Sequence, residues 1–137
     1  MPSANIDALF PYTPFVAQGR ITGTTTDKTG ATTANIITLY TAEAYGDKIS
    51  WAKFKHVGAS TTGLFLMWIT DTAGANPRLY SEQAFTGVAS SATVATVEYT
   101  FTFDDLELNT GQQIWVACTT AGSNIDVNSQ IGKYQKP

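Results

Sequence analysis

Residues 94–103 read VATVEYTFTF. Val97, Tyr99, Phe101 and Phe103 alternate with Glu98, Thr100 and Thr102, the two-residue period of a strand with one buried face. β-Branched and aromatic residues fill the stretch, and both suit a pleated, half-buried surface. Working outward, the same kind of segment recurs as RITGTTT (20–26), ANIITLYT (34–41), DKISWAKFKHVG (47–58), TGLFLMWIT (62–70), RLYSEQAF (78–85), QQIWVACTT (112–120) and NIDVNSQIGKY (124–134). Turn-forming stretches such as DKTGATT, AEAYGD, DTAGANP, TGVASSAT and DDLELNTG separate them. No segment of about a dozen residues sustains a helical period. The expected fold is all-β: a two-sheet antiparallel β-sandwich of jelly-roll type, with a closed barrel as the alternative that periodicity alone leaves open.

Composition narrows the function classes. Of 137 residues, 43% are hydrophobic and 12% aromatic but only 14% charged, against roughly 25% charged in ordinary globular domains. The polar surface must therefore rest on Thr, Ser, Asn and Gln, which suits extended strands and protein contact. A net charge of −3 gives no general reason to expect nucleic acid, whose phosphates call for clustered Lys and Arg. Nor is a membrane expected, since TGLFLMWIT falls far short of the roughly 20 apolar residues of a spanning helix. The start, MPSANIDALFPYTPF, has no basic segment and no apolar run of the signal-peptide kind, so synthesis and residence in a cytoplasm are expected unless the chain leaves in a larger particle. Cys118 is alone; it reads as a small buried apolar residue, with no intramolecular disulfide to form.

Residues 1–19 differ from the rest. Pro2, Pro11 and Pro14 disfavour helix and withhold donors from a sheet, while Leu9, Phe10, Tyr12 and Phe15 concentrate apolar surface there. They read as an extended N-terminal arm anchored by those four side chains, either on its own domain or on a neighbouring subunit. A single sandwich domain is then expected over 20–137. Within DKISWAKFKHVG the alternation changes phase, Ile49 and Trp51 having one parity and Phe54 the other. A β-bulge near Ala52–Lys53 would restore one apolar face and place Trp51 in the core.

Catalytic chemistry finds little support. His56 is the single histidine and follows Lys53 and Lys55; it reads as structural or solvated, in a basic run on a strand face. Asp104, Asp105 and Glu107 form an acidic cluster, but they enter an expected turn, where Asp is common for its local hydrogen bonds. Calcium-loop spacing, zinc-helix spacing, the nucleophile elbow and the phosphate-cradling glycine pattern are all missing. The expectation is a non-enzyme with no catalytic, metal or cofactor-binding residues and no cofactor. Trp115 is the best candidate for a ring stacked on a sugar, because Ile114 and Val116 claim the inner face of its strand.

TGLFLMWIT is apolar on both sides. Leu64, Leu66 and Trp68 point one way, and Phe65, Met67 and Ile69 the other. Burying such a side chain contributes roughly 1.5–3 kcal/mol, so the second set needs a cover: the arm, a long loop or another subunit. Aromatic residues and Met are enriched in interface cores. The favoured reading makes Phe65, Met67, Ile69 and Trp115 a subunit or partner interface, and the chain a homo-oligomer.

NIITLYTAEAYGDKISWAKFKHVGASTTGLFLMWI and FDDLELNTGQQIWVACTTAGSNIDVNSQIGKY together resemble the small tailed-bacteriophage capsid decoration (cement) β-sandwich proteins in their order of strands, glycine turns and basic strand, over roughly residues 34–134. That resemblance implies a virion structural protein that decorates and stabilises a phage capsid by binding the major capsid protein. Trimeric assembly, a place on the capsid surface after synthesis in the host cytoplasm, and the lack of catalytic residues also come from the resemblance. The alternative is a carbohydrate-binding or host-recognition module of a tail or fibre.

Overall fold

The computed structural model describes residues 12–120 and 122–134. Eight strands carry the fold: β1 (Tyr12–Ile21), β2 (Ile37–Thr41), β3 (Asp47–His56), β4 (Gly63–Ile69), β5 (Arg78–Phe85), β6 (Glu98–Leu108), β7 (Gln113–Cys118) and β8 (Ile125–Tyr134), with one 3₁₀ turn at Thr72–Gly74. They form two four-stranded sheets, β1-β8-β3-β6 and β2-β7-β4-β5, in which all registered neighbours are antiparallel. Every connection except β4–β5 crosses from one sheet to the other. This is the double Greek-key winding of a jelly roll. Two separate sheets, each with its own edges, decide against the closed barrel.

The core lies between the sheets. Ile49, Ala52, Phe54, Val127 and Ile131 face Phe65, Met67, Ile114, Val116 and Cys118, all with no exposure. Phe54 packs its ring 5.0 Å from Phe65 and 5.4 Å from Phe101, so the strand that opened the reading reaches the centre of the molecule through Phe101. The wide hydrophobic interface, not any covalent link, holds the sheets together; Cys118 is a free thiol inside it.

Of VATVEYTFTF only the part from Glu98 onward is strand. Of its expected buried face Phe101 is buried, Val97 and Phe103 are half-buried and Tyr99 is exposed, because β6 is an edge strand of its sheet. Three further features differ from expectation. RITGTTT contributes only Arg20 and Ile21 to a strand, because β1 lies upstream and pairs along its whole length with β8, from Tyr12↔Tyr134 to Ile21↔Ile125. Pro14 is tolerated there because β1 is an edge strand of its sheet. Residues 12–19 therefore belong to the sandwich and not to a separate arm. Next, DDLEL is not a turn: β6 runs through it to Leu108, with a register shift on the way.

The third difference is the position of the bulge. Opposite β8, Ile49 pairs with Ile131 and Trp51 with Gln130, which makes Ser50 the extra residue. Opposite β6, Ile49 pairs with Leu106 and Trp51 with Thr102, so Ser50 stands against residues 103–105. The bulge falls before Trp51 rather than after it. Ile49 and Phe54 stay inside, and Trp51 is turned out of the core to the outer face, half-buried.

Candidate interaction surfaces

The doubly apolar strand β4 turns the opposite way from the expected one. Phe65 and Met67 are fully buried between the sheets, and Ile69 packs half-buried beside them. Phe65 and Met67 are closed off by their own fold, whereas Ile69 keeps part of its surface exposed. The reason lies in β7. Directly opposed residues of an antiparallel pair share a face, and Phe65 opposes Cys118 while Met67 opposes Val116. Ile114, Val116 and Cys118 are the only apolar inner set β7 has, so β4 must follow them.

Leu64, Leu66 and Trp68 thus point outward. They form a second apolar cluster with Ala117, Trp115, Ile36 and Leu79. Its cover is the connection 22–36 of the same chain. Trp68 has no exposure, and its indole Nε1 donates to the carbonyl of Lys28 at 2.8 Å. Thr25 N donates to the Cys118 carbonyl at 3.0 Å, where the shorter β2 no longer reaches β7. Gly30, at φ 80°, sits so close that a Cβ there would lie 2.9 Å from Pro77 and 3.3 Å from the Trp68 indole nitrogen. Asp27 shapes the connection by accepting from Thr29 N, Thr29 Oγ1 and Thr32 N. These bonds, led by those from Thr29, hold its carboxyl down at about 2. Lys28 ties the far side to Glu82 of β5 at 2.8 Å. Trp115 does face outward as expected; it pairs with Trp68 across the strands, donates to Gln113 Oε1 at 2.8 Å and remains half-buried.

The outer face of β1-β8-β3-β6 is built differently. Register places its side chains in rows: Arg20, Asp126, Lys55, Glu98, then Gln18, Asn128, Lys53, Thr100, then Val16, Gln130, Trp51, Thr102. Arg20 Nε donates to Asp126 at 2.6 Å, and Lys55 to Glu98 at 2.9 Å; Gln18 Nε2 donates to Asn128 at 2.8 Å. Arg20 lowers the Asp126 carboxyl below its ordinary range, and Lys55 with Lys53 does the same to Glu98. Two shallow hollows of about 380 and 340 Å³ adjoin on this face, sharing Asp126 and Asn128. Among the described residues, Trp51 and its neighbours Gln130 and Asn128 are half-buried on this face.

One end of the sandwich holds a buried polar knot that composition concealed. Asp47 has no exposure; its Oδ2 accepts from Tyr40 OH at 2.8 Å and from Glu43 N at 2.9 Å. Burial first, then the bond to Asp47, raises the Tyr40 phenol. Phe15 stands 39% exposed on the rim, its ring 5.8 Å from Tyr40 and 4.2 Å beneath Lys133 Nζ. This arm anchor packs on its own domain. Tyr12 opens β1, and Leu9 and Phe10 lie outside the described residues.

The basic run divides along the strand period. Lys53 and Lys55 face outward to Glu98, while His56 turns inward and is 1% exposed. Asp104, Asp105 and Glu107 are exposed on edge strand β6. Among the described residues no group of three or more His, Cys, Asp or Glu is placed to hold a metal ion, and no helix is long and apolar enough to cross a membrane.

No family model matches the chain, and no curated protein does. Among solved structures it is similar to a chain of the crystal structure of the T13 IBDV viral particle, at 9% identity and a TM-score of 0.44, over 98% of this chain and 36% of that one. The chain thus spans about a third of that neighbour's length. A likeness of this size carries no argument about function.

Proposed function

We propose that this chain is a non-enzymatic virion structural protein, decorating a phage capsid by binding its major capsid protein as a homo-oligomer. The observation that carries the reading is the strand order β1-β8-β3-β6 over β2-β7-β4-β5, an eight-stranded jelly roll of the kind found in viral capsid and lectin domains. It joins the sequence resemblance to decoration proteins over residues 34–134. Fold alone does not fix function, so the resemblance carries the choice between those two classes. Contacts to the shell would use the half-exposed outer face of β1-β8-β3-β6 and its rim, because Phe65 and Met67 lie inside. Each copy would contribute modestly, and many regularly placed copies would brace the shell together.

The test is quantitative mass spectrometry on purified particles, counting this chain against the major capsid protein. A copy number in the hundreds supports shell decoration. A handful of copies moves the chain to a tail or fibre, and absence from the particle overturns the reading.

A second reading, glycan recognition, is favoured by one specific observation. Trp51, and not Trp115, is the ring set beside outward-facing amides, opposite Gln130 and diagonal to Asn128. A pyranose presents an apolar C–H face that suits such a ring. On a glycan array, Trp51→Ala should abolish any retained signal and Trp115→Ala should leave it; no signal from the intact chain rejects this reading.

A further inference from the structure

His56 is the single histidine of the chain, and its placement is unusual. Its ring is 1% exposed, yet neither Nδ1 nor Nε2 has a hydrogen-bond partner. A buried imidazole normally finds at least one. Here the ring lies against a pair of aromatic side chains of the other sheet, 5.5 Å from Phe65 and 5.1 Å from Phe85. Those two rings stack on each other at 4.4 Å. The backbone of His56 donates to the Val97 carbonyl at 2.9 Å, and the neighbouring Thr96 Oγ1 is likewise buried without a partner.

The side chains set against the ring are apolar: β4 presents Phe65, β5 presents Phe85, and β8 places Ile125 opposite it in register. Burial outweighs the polar group facing it, the Val97 backbone carbonyl of the segment leading into β6, which favours a proton on the ring. The charged groups that share a hollow with His56 are Lys53, Lys55 and Asp126. All three are engaged on the other side of the sheet, the lysines with Glu98 and Asp126 with Arg20. None bonds to the imidazole, so a proton there would meet no counter-charge.

What closes this end is an edge strand and a loop. β5 pairs only with β4 and is tied to the connection 22–36 by the Lys28–Glu82 ion pair. The connection 86–97 that follows is exposed over residues 91–95. It is pinned near its start by Gly87 N to Thr62 Oγ1, Val88 N to Ser60 Oγ and Ser60 N to the Val88 carbonyl, and at its end by His56 N to the Val97 carbonyl.

We propose that His56 is a proton-operated latch: neutral, it seals the Phe65–Phe85 end of the sandwich, and in mild acid its protonation releases β5 and the connection 86–97. Burial lowers the proton affinity of the ring below the ordinary histidine value of 6.5. The sign follows directly. The opened state binds a proton near 6.5 and the closed state does not, so stability is whole above that pH and falls as pH drops below it. One proton taken up per opening means about tenfold in the opening equilibrium per pH unit. Carboxylates titrate near 4 in an open chain, which leaves the window between pH 6.5 and 5 to His56. The latch is independent of the virion reading.

The experiment uses the intact chain. NMR follows the one imidazole Hε1 signal, and hydrogen exchange, corrected for intrinsic rates, follows amides 78–97 between pH 8 and 5. The expected result is an imidazole that stays neutral through pH 6.5, with opening of 78–97 rising towards tenfold per unit below it. His56→Phe should flatten that dependence, and His56→Met serves if the phenylalanine variant fails to fold. The titration of the unaltered chain needs no variant. An imidazole that titrates at about 6.5 with protection unchanged overturns the proposal, as does the same pH dependence in a variant lacking His56.

Discussion

The outer face of β2-β7-β4-β5 carries Leu66, Trp68 and Ala117 with no exposure, whereas the outer face of β1-β8-β3-β6 carries Lys53, Lys55, Asp126 and Trp51 half in the open. Both faces are made by the same alternation on similar strands. They differ in what the second parity holds: apolar side chains in β4, amides and paired charges in β3 and β8. An antiparallel sheet tolerates water on one side only when that side is polar. The apolar outer face therefore drew the connection 22–36 across itself, and the polar one stands half-exposed without such a cover among the described residues. A cover is needed only where the strand period fails to separate apolar from polar.

Trp68→Ala should break this contrast most severely. Removing a fully buried indole typically costs about 3–5 kcal/mol, and the Lys28 carbonyl loses its donor. Urea denaturation should show the loss, and trypsin should begin to cut at Lys28. Trp51→Ala, on the open face, should cost under about 1.5 kcal/mol; equal costs for the two would mean that the loop is no true cover. Tyr40→Phe comes next. It leaves buried Asp47 with only the Glu43 amide, and an unsatisfied buried group of this kind costs about 1–3 kcal/mol, read as a lower urea midpoint with an unchanged slope.

Acid sharpens the comparison more gently. The Asp27 carboxyl is held at about 2, against an ordinary 3.8. Its contribution to the cover is thus complete above 3.8 and is lost as pH falls through 2. Hydrogen exchange at Thr29 and Thr32 should quicken across that window in the native chain, and Asp27→Asn should show fast exchange without the pH step. Arg20→Ala should have the smallest effect. Its pair with Asp126 is exposed, and such pairs contribute little; the thermal midpoint should not move measurably.

The legible parts of the fold were those where polarity and period agreed. RLYSEQAF became β5 at its expected bounds, and VATVEYTFTF placed Phe101 in the core, though it left Tyr99 exposed at the sheet edge. Reading failed where a strand obeyed something other than its own pattern. Pro14 hid an edge strand, since the residue that withholds a donor inside a sheet is harmless at its rim. Trp51 was misplaced because a bulge can sit at any of several residues, and only register with β6 and β8 put it at Ser50. In β4, both parities were apolar, so the sequence of that strand carried no information about which side faced in. β7 is nearly as ambiguous, with Trp115 and Ala117 on its second parity, and only the polar Gln113 in that set marks Ile114, Val116 and Cys118 as the inner one. His56 could also have been found: its even parity matches Phe54, two residues earlier, and not Lys53 and Lys55.

By itself the sequence determined that this chain makes eight-odd short strands, buries aromatic and β-branched side chains between two layers, and leaves one strand with more apolar surface than a single core can take. Local periodicity is enough for that, because a side chain two residues on always returns to the same face. Only the tertiary structure decided which side of β4 became the core, where the β3 bulge fell, and that the connection 22–36 covered the surplus. Those outcomes depend on pairings between residues far apart in the chain, and no local pattern encodes a register.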